Sequence, residues 1–217
     1  MNDFAMQITG WLFITAAALW WCGWIFMPVH IGPFFEARDF ARVSRHLWRW
    51  IWLFRLHLFG YVVSAMAFVA LGTLLGGTPG RIIVWPAVAV SGAGLIVSAL
   101  AAAFYYHFGA WGAMDLEGKP VDAIQQFVDS LRVGTEYVTC LVRFGRVFFG
   151  LGQVVLAVGL MLDGTMPVWV FLSAMALGLA AMGLTMGFPD HLQFYKPVFH
   201  LTALWLAMTG GTVLYLA

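Results

Sequence analysis

Charge is scarce in this chain. Asp, Glu, Lys and Arg make up 10% of its 217 residues, while 62% are hydrophobic. A soluble domain carries about 25% charged residues, so a water-exposed surface cannot be assembled here, and the composition reads as an integral membrane protein. Cysteine is nearly missing too. Cys22 lies inside one apolar run and Cys140 near the start of another, without a CxxC pair; this supports neither a thiolate metal site nor a disulfide, and both read as small buried hydrophobes. The opening MNDFAMQITG holds no Lys or Arg before the first apolar run, so a cleaved signal peptide is not expected. A net charge of +1 gives no bulk attraction to nucleic acid.

Motifs that would name a chemistry are also lacking. No HxxxH or HxxHH cluster stands in the sequence, which removes the membrane di-iron hydroxylase pattern, and the eleven methionines read as core filler. A phosphate-cradling glycine loop and a Ser/His/Asp arrangement are absent. Ionisable groups are missing from the span centres, which argues against a charge-coupled transporter.

What the chain does have is organised around Pro28 to His57, PVHIGPFFEARDFARVSRHLWRWIWLFRLH. Arg38, Arg42, Arg45 and Arg49 fall within one arc of a helix, and Phe40, Val43, Leu47, Trp50 and Ile51 occupy the opposite arc. That pattern predicts an amphipathic interfacial helix over about 34–52, with cations toward anionic lipid and aromatics toward acyl chains. Six apolar segments, near 8–29, 55–76, 81–107, 143–162, 167–188 and 198–216, are each long enough to span a hydrocarbon core of about 30 Å. The expected fold is an all-α polytopic bundle of six transmembrane helices. A second inner-face helix is expected over 120–133, where Val121, Ile124, Val128 and Leu131 recur at helical spacing. Small residues (Ser91, Gly92, Gly94, Ser98 and Ala99 in the third span; Ala174, Gly178, Gly183 and Gly187 in the fifth) mark close helix contacts, within the bundle or with another copy or partner.

The charges give an orientation. With the N-terminus outside, the inside segments hold Arg38, Arg42, Arg45, Arg49, Arg55, Lys119, Arg132, Arg143, Arg146 and Lys196, and the outside loops hold Arg81. By the positive-inside rule both termini face outward, as in a bacterial cytoplasmic membrane protein.

All six histidines fall on the inner side, and His57, His107 and His200 sit at the ends of three different spans. Three readings are open. They are members of an interfacial aromatic belt with Tyr105, Tyr106, Tyr195 and Trp111. Or two of them ligate a haem b, with Arg55, Arg143 and Arg146 on the propionates. Or His57, His107, His200 and His191 supply, with Asp190, Asp115 or Glu36, a transition-metal site. Gln153, mid-way along the fourth span, either hydrogen-bonds across the bundle or touches a quinone carbonyl.

The first hairpin, AAALWWCGWIFMPVHIGPFF followed by a basic segment and RLHLFGYVVSAMAF, resembles the opening of small polytopic proteins of the copper-resistance D and HemJ type. The likeness covers about 70 residues. It implies copper handling or haem binding by histidines at helix ends, and His57 is the residue it carries over. The histidine usual early in the first helix of those families has no counterpart between Trp11 and Leu19. Two functional classes therefore stand side by side: a membrane redox or haem-handling protein that exchanges electrons with quinone, and a non-enzymatic accessory subunit of a larger complex. Transport of a neutral solute is a third. No reaction is assigned by the sequence.

Overall fold

The computed structural model describes residues 3–25, 43, 45–75, 80–188 and 192–217. Among the described residues the chain is almost entirely helical, without a strand. The helices are α1 (Asp3–Ile25), α2 (Leu47–Leu74), α3 (Arg81–Phe104), α4 (Val121–Ser130), α5 (Arg132–Asp163), α6 (Val168–Gly187) and α7 (Leu192–Tyr215). All but α4 are long and apolar enough to cross a membrane. The protein is an integral membrane protein built as an all-α bundle.

Several helices outrun the lipid. α3 continues through a π-helical segment, Tyr105–Trp111, and a last α-turn, Gly112–Asp115, so one rod runs from Arg81 to Asp115. α5 begins at Arg132 rather than near 143, and its 32 residues measure about 48 Å at 1.5 Å per residue. The interfacial helix expected over 34–52 is seen differently where it is described. Residues 47–52 are the first turns of α2 itself, and 34–42, with Arg38 and Arg42, lie outside the described residues. The cause is a second apolar cluster at this end of the bundle. Val43, Trp50, Ile51, Leu53 and Phe54 are buried against Ala110, Ala113 and Leu116, so this apolar arc meets protein, while Arg45 and Arg49 remain exposed. α4 completes the cluster. Its Ile124, Phe127 and Val128 pack on it, and Asp122, Gln125 and Asp129 face outward.

The spans form a closed ring. Neighbours in the order α1, α2, α3, α5, α6, α7 pack against one another, and α7 returns to α1; the α6–α7 seam is the thinnest. Small residues set the close approaches. A methyl group on Gly94 would lie 2.5 Å from the Phe149 amide nitrogen and 2.7 Å from the Gly145 carbonyl oxygen, so α3 and α5 touch backbone to backbone there. Gly150 meets Gly178 across α5–α6, and Gly10 meets Gly210 across α1–α7. Gly92, Gly183 and Gly187 are different, because a methyl on any of them would meet nothing within 4 Å. The Gly183-xxx-Gly187 pair therefore belongs to an open face, not to the internal packing. Gly164 closes α5 in the left-handed conformation (φ 70°), with its amide donating to Leu160 O at 3.1 Å.

Cys22 and Cys140 are exposed, so they face outward and do not fill the core. The ring interior is aromatic instead. Phe13 contacts Phe68 at 5.7 Å and Trp205 at 6.2 Å, Phe68 contacts Phe149 at 5.8 Å, and Phe149 contacts Trp20 at 6.1 Å. Offset and edge-on ring pairs at these separations each add to the stabilisation from burial.

Candidate functional site

The basic residues of the described chain gather at one end of the ring. Arg45, Arg49, Arg55, Lys119, Arg132, Arg143, Arg146 and Lys196 lie there, and Arg81 lies at the other. At this basic end α1, α2, α5 and α7 turn a set of rings toward the bundle axis.

The centre of the set is Phe199 on α7. Trp20 stacks on it at 4.7 Å, Trp24 lies at 5.1 Å, and His57 meets it edge-on at 5.6 Å. Spacing within the helices explains the convergence. Trp20 and Trp24, His57 and Tyr61, and Tyr195 and Phe199 are each four residues apart, so each pair shares a helix face. Glycine makes the fit possible: Gly60 of α2 lies under the Trp20 ring, and Gly23 of α1 lies under His57. Cations border the rings. The Arg146 guanidinium sits 4.2 Å from the Tyr195 ring centroid, and Lys196 Nζ sits 5.4 Å from that of Trp24, both within cation–π range.

Three ring nitrogens in this set are shielded and have no hydrogen-bond partner: Trp20 Nε1, Trp24 Nε1 and His57 Nε2. An unmet buried donor or acceptor costs about 1–3 kcal/mol, and the cost rises in hydrocarbon, where no solvent can substitute. Three in contact with one phenyl ring is a concentration the core does not need for packing.

The site residues expected from sequence are divided by the structure. His57 is central. His200 is half-buried and lies 5.0 Å from Trp24, whose ring is 6.5 Å from that of His57. His107 is exposed and packs on its neighbour Phe108, because the π-helical segment alters the register of this stretch; it does not join the set. His191 and Asp190 lie outside the described residues. Arg55 is two residues from His57 but faces α3: its Nε and Nη2 donate to Tyr106 Oη at 3.1 and 2.8 Å, and Trp52 and Tyr106 flank it at 5.5 Å. Arg143 Nη2 donates to Thr185 O at 2.8 Å, a cation placed on the last turn of α6. Only Arg146 of the three expected arginines borders the His57 rings. The structural role of Arg55 can be checked directly. Tyr106→Phe is expected to lower stability by about 1.5–3 kcal/mol, the range for a charge-assisted hydrogen bond, seen as a lower melting temperature in detergent.

The same contacts bear on metal ligation. His57 Nε2 lies against Gly23, where a methyl group would sit 2.8 Å away, so this nitrogen is packed on α1. Among the described residues no three His, Cys, Asp or Glu side chains come together as a metal site would require.

Trp20, Trp24, Tyr61 and Phe199 were not singled out by sequence reasoning, and Tyr195 and Lys196 entered only as a belt aromatic and an inner-side cation. The signal that finds them is the set of aromatic and imidazole pairs four apart on three different spans. Comparison with protein-family models, with curated proteins and with solved structures finds no match. The first-hairpin resemblance thus rests on its own residues.

Proposed function

We propose that this protein binds the head group of a membrane quinone at the basic end of its bundle and takes part in quinone-linked redox chemistry. The observation that carries the reading is the trio of partnerless nitrogens on Trp20, Trp24 and His57 around Phe199. Indole N–H groups can only donate, and an imidazole nitrogen donates or accepts according to its tautomer. Donors set in an aromatic wall call for a flat apolar body bearing acceptor oxygens, and a quinone carbonyl pair supplies both. Such a head group reaches the site through lipid, which suits an axis walled by apolar helices. Arg146 beside Tyr195 adds positive charge for the partial negative charge on the carbonyl oxygens, which grows on reduction. The concentration of Arg and Lys at this end supports an orientation with the site toward the cytoplasm and both chain ends outside. Exposed Arg45, Arg49, Trp48 and Trp52 suit contacts with anionic lipid head groups there.

The test is an extraction. Protein purified in mild detergent from respiring cells is expected to yield quinone on organic extraction, in proportion to protein. A short-chain quinone added to stripped protein should quench its tryptophan fluorescence saturably. An extract without quinone, together with no saturable quenching, would overturn the reading. A haem absorption band that responds to dithionite would overturn it in favour of a haem protein.

A further inference from the structure

We infer that Gln153 and Ser91 hold ordered water at the mid-depth of the bundle, forming a second polar site separate from the rings at the basic end. This does not depend on the quinone reading. Gln153 is fully buried, yet neither its Oε1 nor its Nε2 has a partner. Ser91 is fully buried as well, and its Oγ has none. An amide carries two donors and an acceptor and a hydroxyl carries one donor and an acceptor, so an entire set of hydrogen-bonding positions is left unmet in an apolar interior.

Position makes these two side chains informative. Gln153 lies ten residues before the end of α5 at Asp163, and Ser91 lies ten residues after the start of α3 at Arg81. At 1.5 Å per residue both are about 15 Å from the same end of the bundle, half of a core of about 30 Å. Arg146, Phe149, Gln153 and Leu160 share one side of α5, and Phe149 reaches Trp20 of α1 and Phe68 of α2, so this side faces the ring axis. Ser91 Oγ is directed at Gly152, the residue before Gln153, where a methyl group would collide with it.

Local satisfaction is available and not used. A helical serine ordinarily donates to the carbonyl four residues back. Ser64 does so to Gly60 O at 2.7 Å, and Ser98 does so to Gly94 O at 2.9 Å. Ser91 instead turns toward α5. A partner for both side chains must donate to the amide oxygen, accept from the amide nitrogen, and do one or the other for the hydroxyl. Water meets all three demands, and buried waters of this kind typically make about three hydrogen bonds. A carbonyl ligand accepts but cannot donate, so it leaves the amide oxygen unmet.

The experiment is water-edited solid-state NMR on the full chain in lipid bilayers, with the glutamine side-chain amides labelled with nitrogen-15. The Gln153 amide signal, assigned by its loss in Gln153→Met, is expected to receive magnetisation from water about as fast as the exposed Gln125 and Gln126. Ser91→Ala should slow that transfer several-fold. No transfer to Gln153 while the exposed Gln125 and Gln126 amides respond would overturn the inference. Transfer unchanged in Ser91→Ala would overturn the shared site. A contact with carbon-bound protons foreign to the protein that persists after exchange into D2O would assign the site to an organic ligand, and would overturn water as the occupant.

Discussion

Gly94→Ala is expected to remove most of the folded protein, while Gly92→Ala two residues away leaves the yield unchanged. The two glycines stand on different faces of α3. A methyl on Gly94 meets backbone atoms of α5 at 2.5 and 2.7 Å, and a methyl on Gly92 meets nothing within 4 Å. Backbone atoms cannot swing aside as a side-chain tip can, so relief requires α3 and α5 to move apart. That separation loosens other tight points along the seam, where Ser98 packs on Gly145, Ser91 on Gly152 and Val84 on Gly159. Overpacking a well-filled core costs about 1–3 kcal/mol, and a seam held at several close approaches stands at or above the top of that range. Fluorescence-detected size-exclusion of tagged variants checks it. Equal monodisperse peaks for the two variants would show that the close α3–α5 approach is not required.

The second large effect concerns the ligand. In protein carrying both Trp20→Phe and Trp24→Phe, both indole donors are gone while the rings that stack on Phe199 remain. Each lost donor to a bound acceptor is worth about 1–3 kcal/mol, or roughly five- to 150-fold in affinity. The double variant is therefore expected to lose short-chain quinone binding by roughly two orders of magnitude or more, with an unchanged elution profile. Quenching by added quinone is read in a variant that retains the other tryptophans. Arg55→Lys serves as the comparison, because Arg55 faces Tyr106 and not the Phe199 rings. An equal loss of binding in both would mean that the site responds to general loosening and not to the two donors.

The membrane-spanning character of the chain is legible in its sequence, because hydropathy over some twenty residues survives any detail of packing. The helix ends are less legible. Trp50, Ile51 and Phe54 have the same apolar character whether they meet acyl chains or a neighbouring helix. The structure turns them onto Ala110, Ala113 and Leu116, and this carries α2 and α3 past the lipid. Depth is also readable for the histidines, but rotation about the helix axis is not. Arg55 and His57 are two residues apart and serve opposite neighbours, and a π-helical segment that no hydropathy pattern reveals sets His107 on an exposed face. Trp20 and Trp24 are visible in the sequence only as letters of the first hairpin, AAALWWCGWIFMPVHIGPFF. Their meeting with Phe199 is not, since it depends on α7 packing beside α1.

That packing has a consequence for biogenesis. Of these six spans α1 is synthesised before the others and α7 after them, yet Gly10 and Gly210 lie against each other and close the ring. Until α7 is inserted, Phe199 and Tyr195 are missing, and Trp20 and Trp24 have lipid where their neighbours belong. The ring and the rings of its basic end are thus completed in a single late event. A chain interrupted before α7 would be inserted in the membrane and would still lack the site.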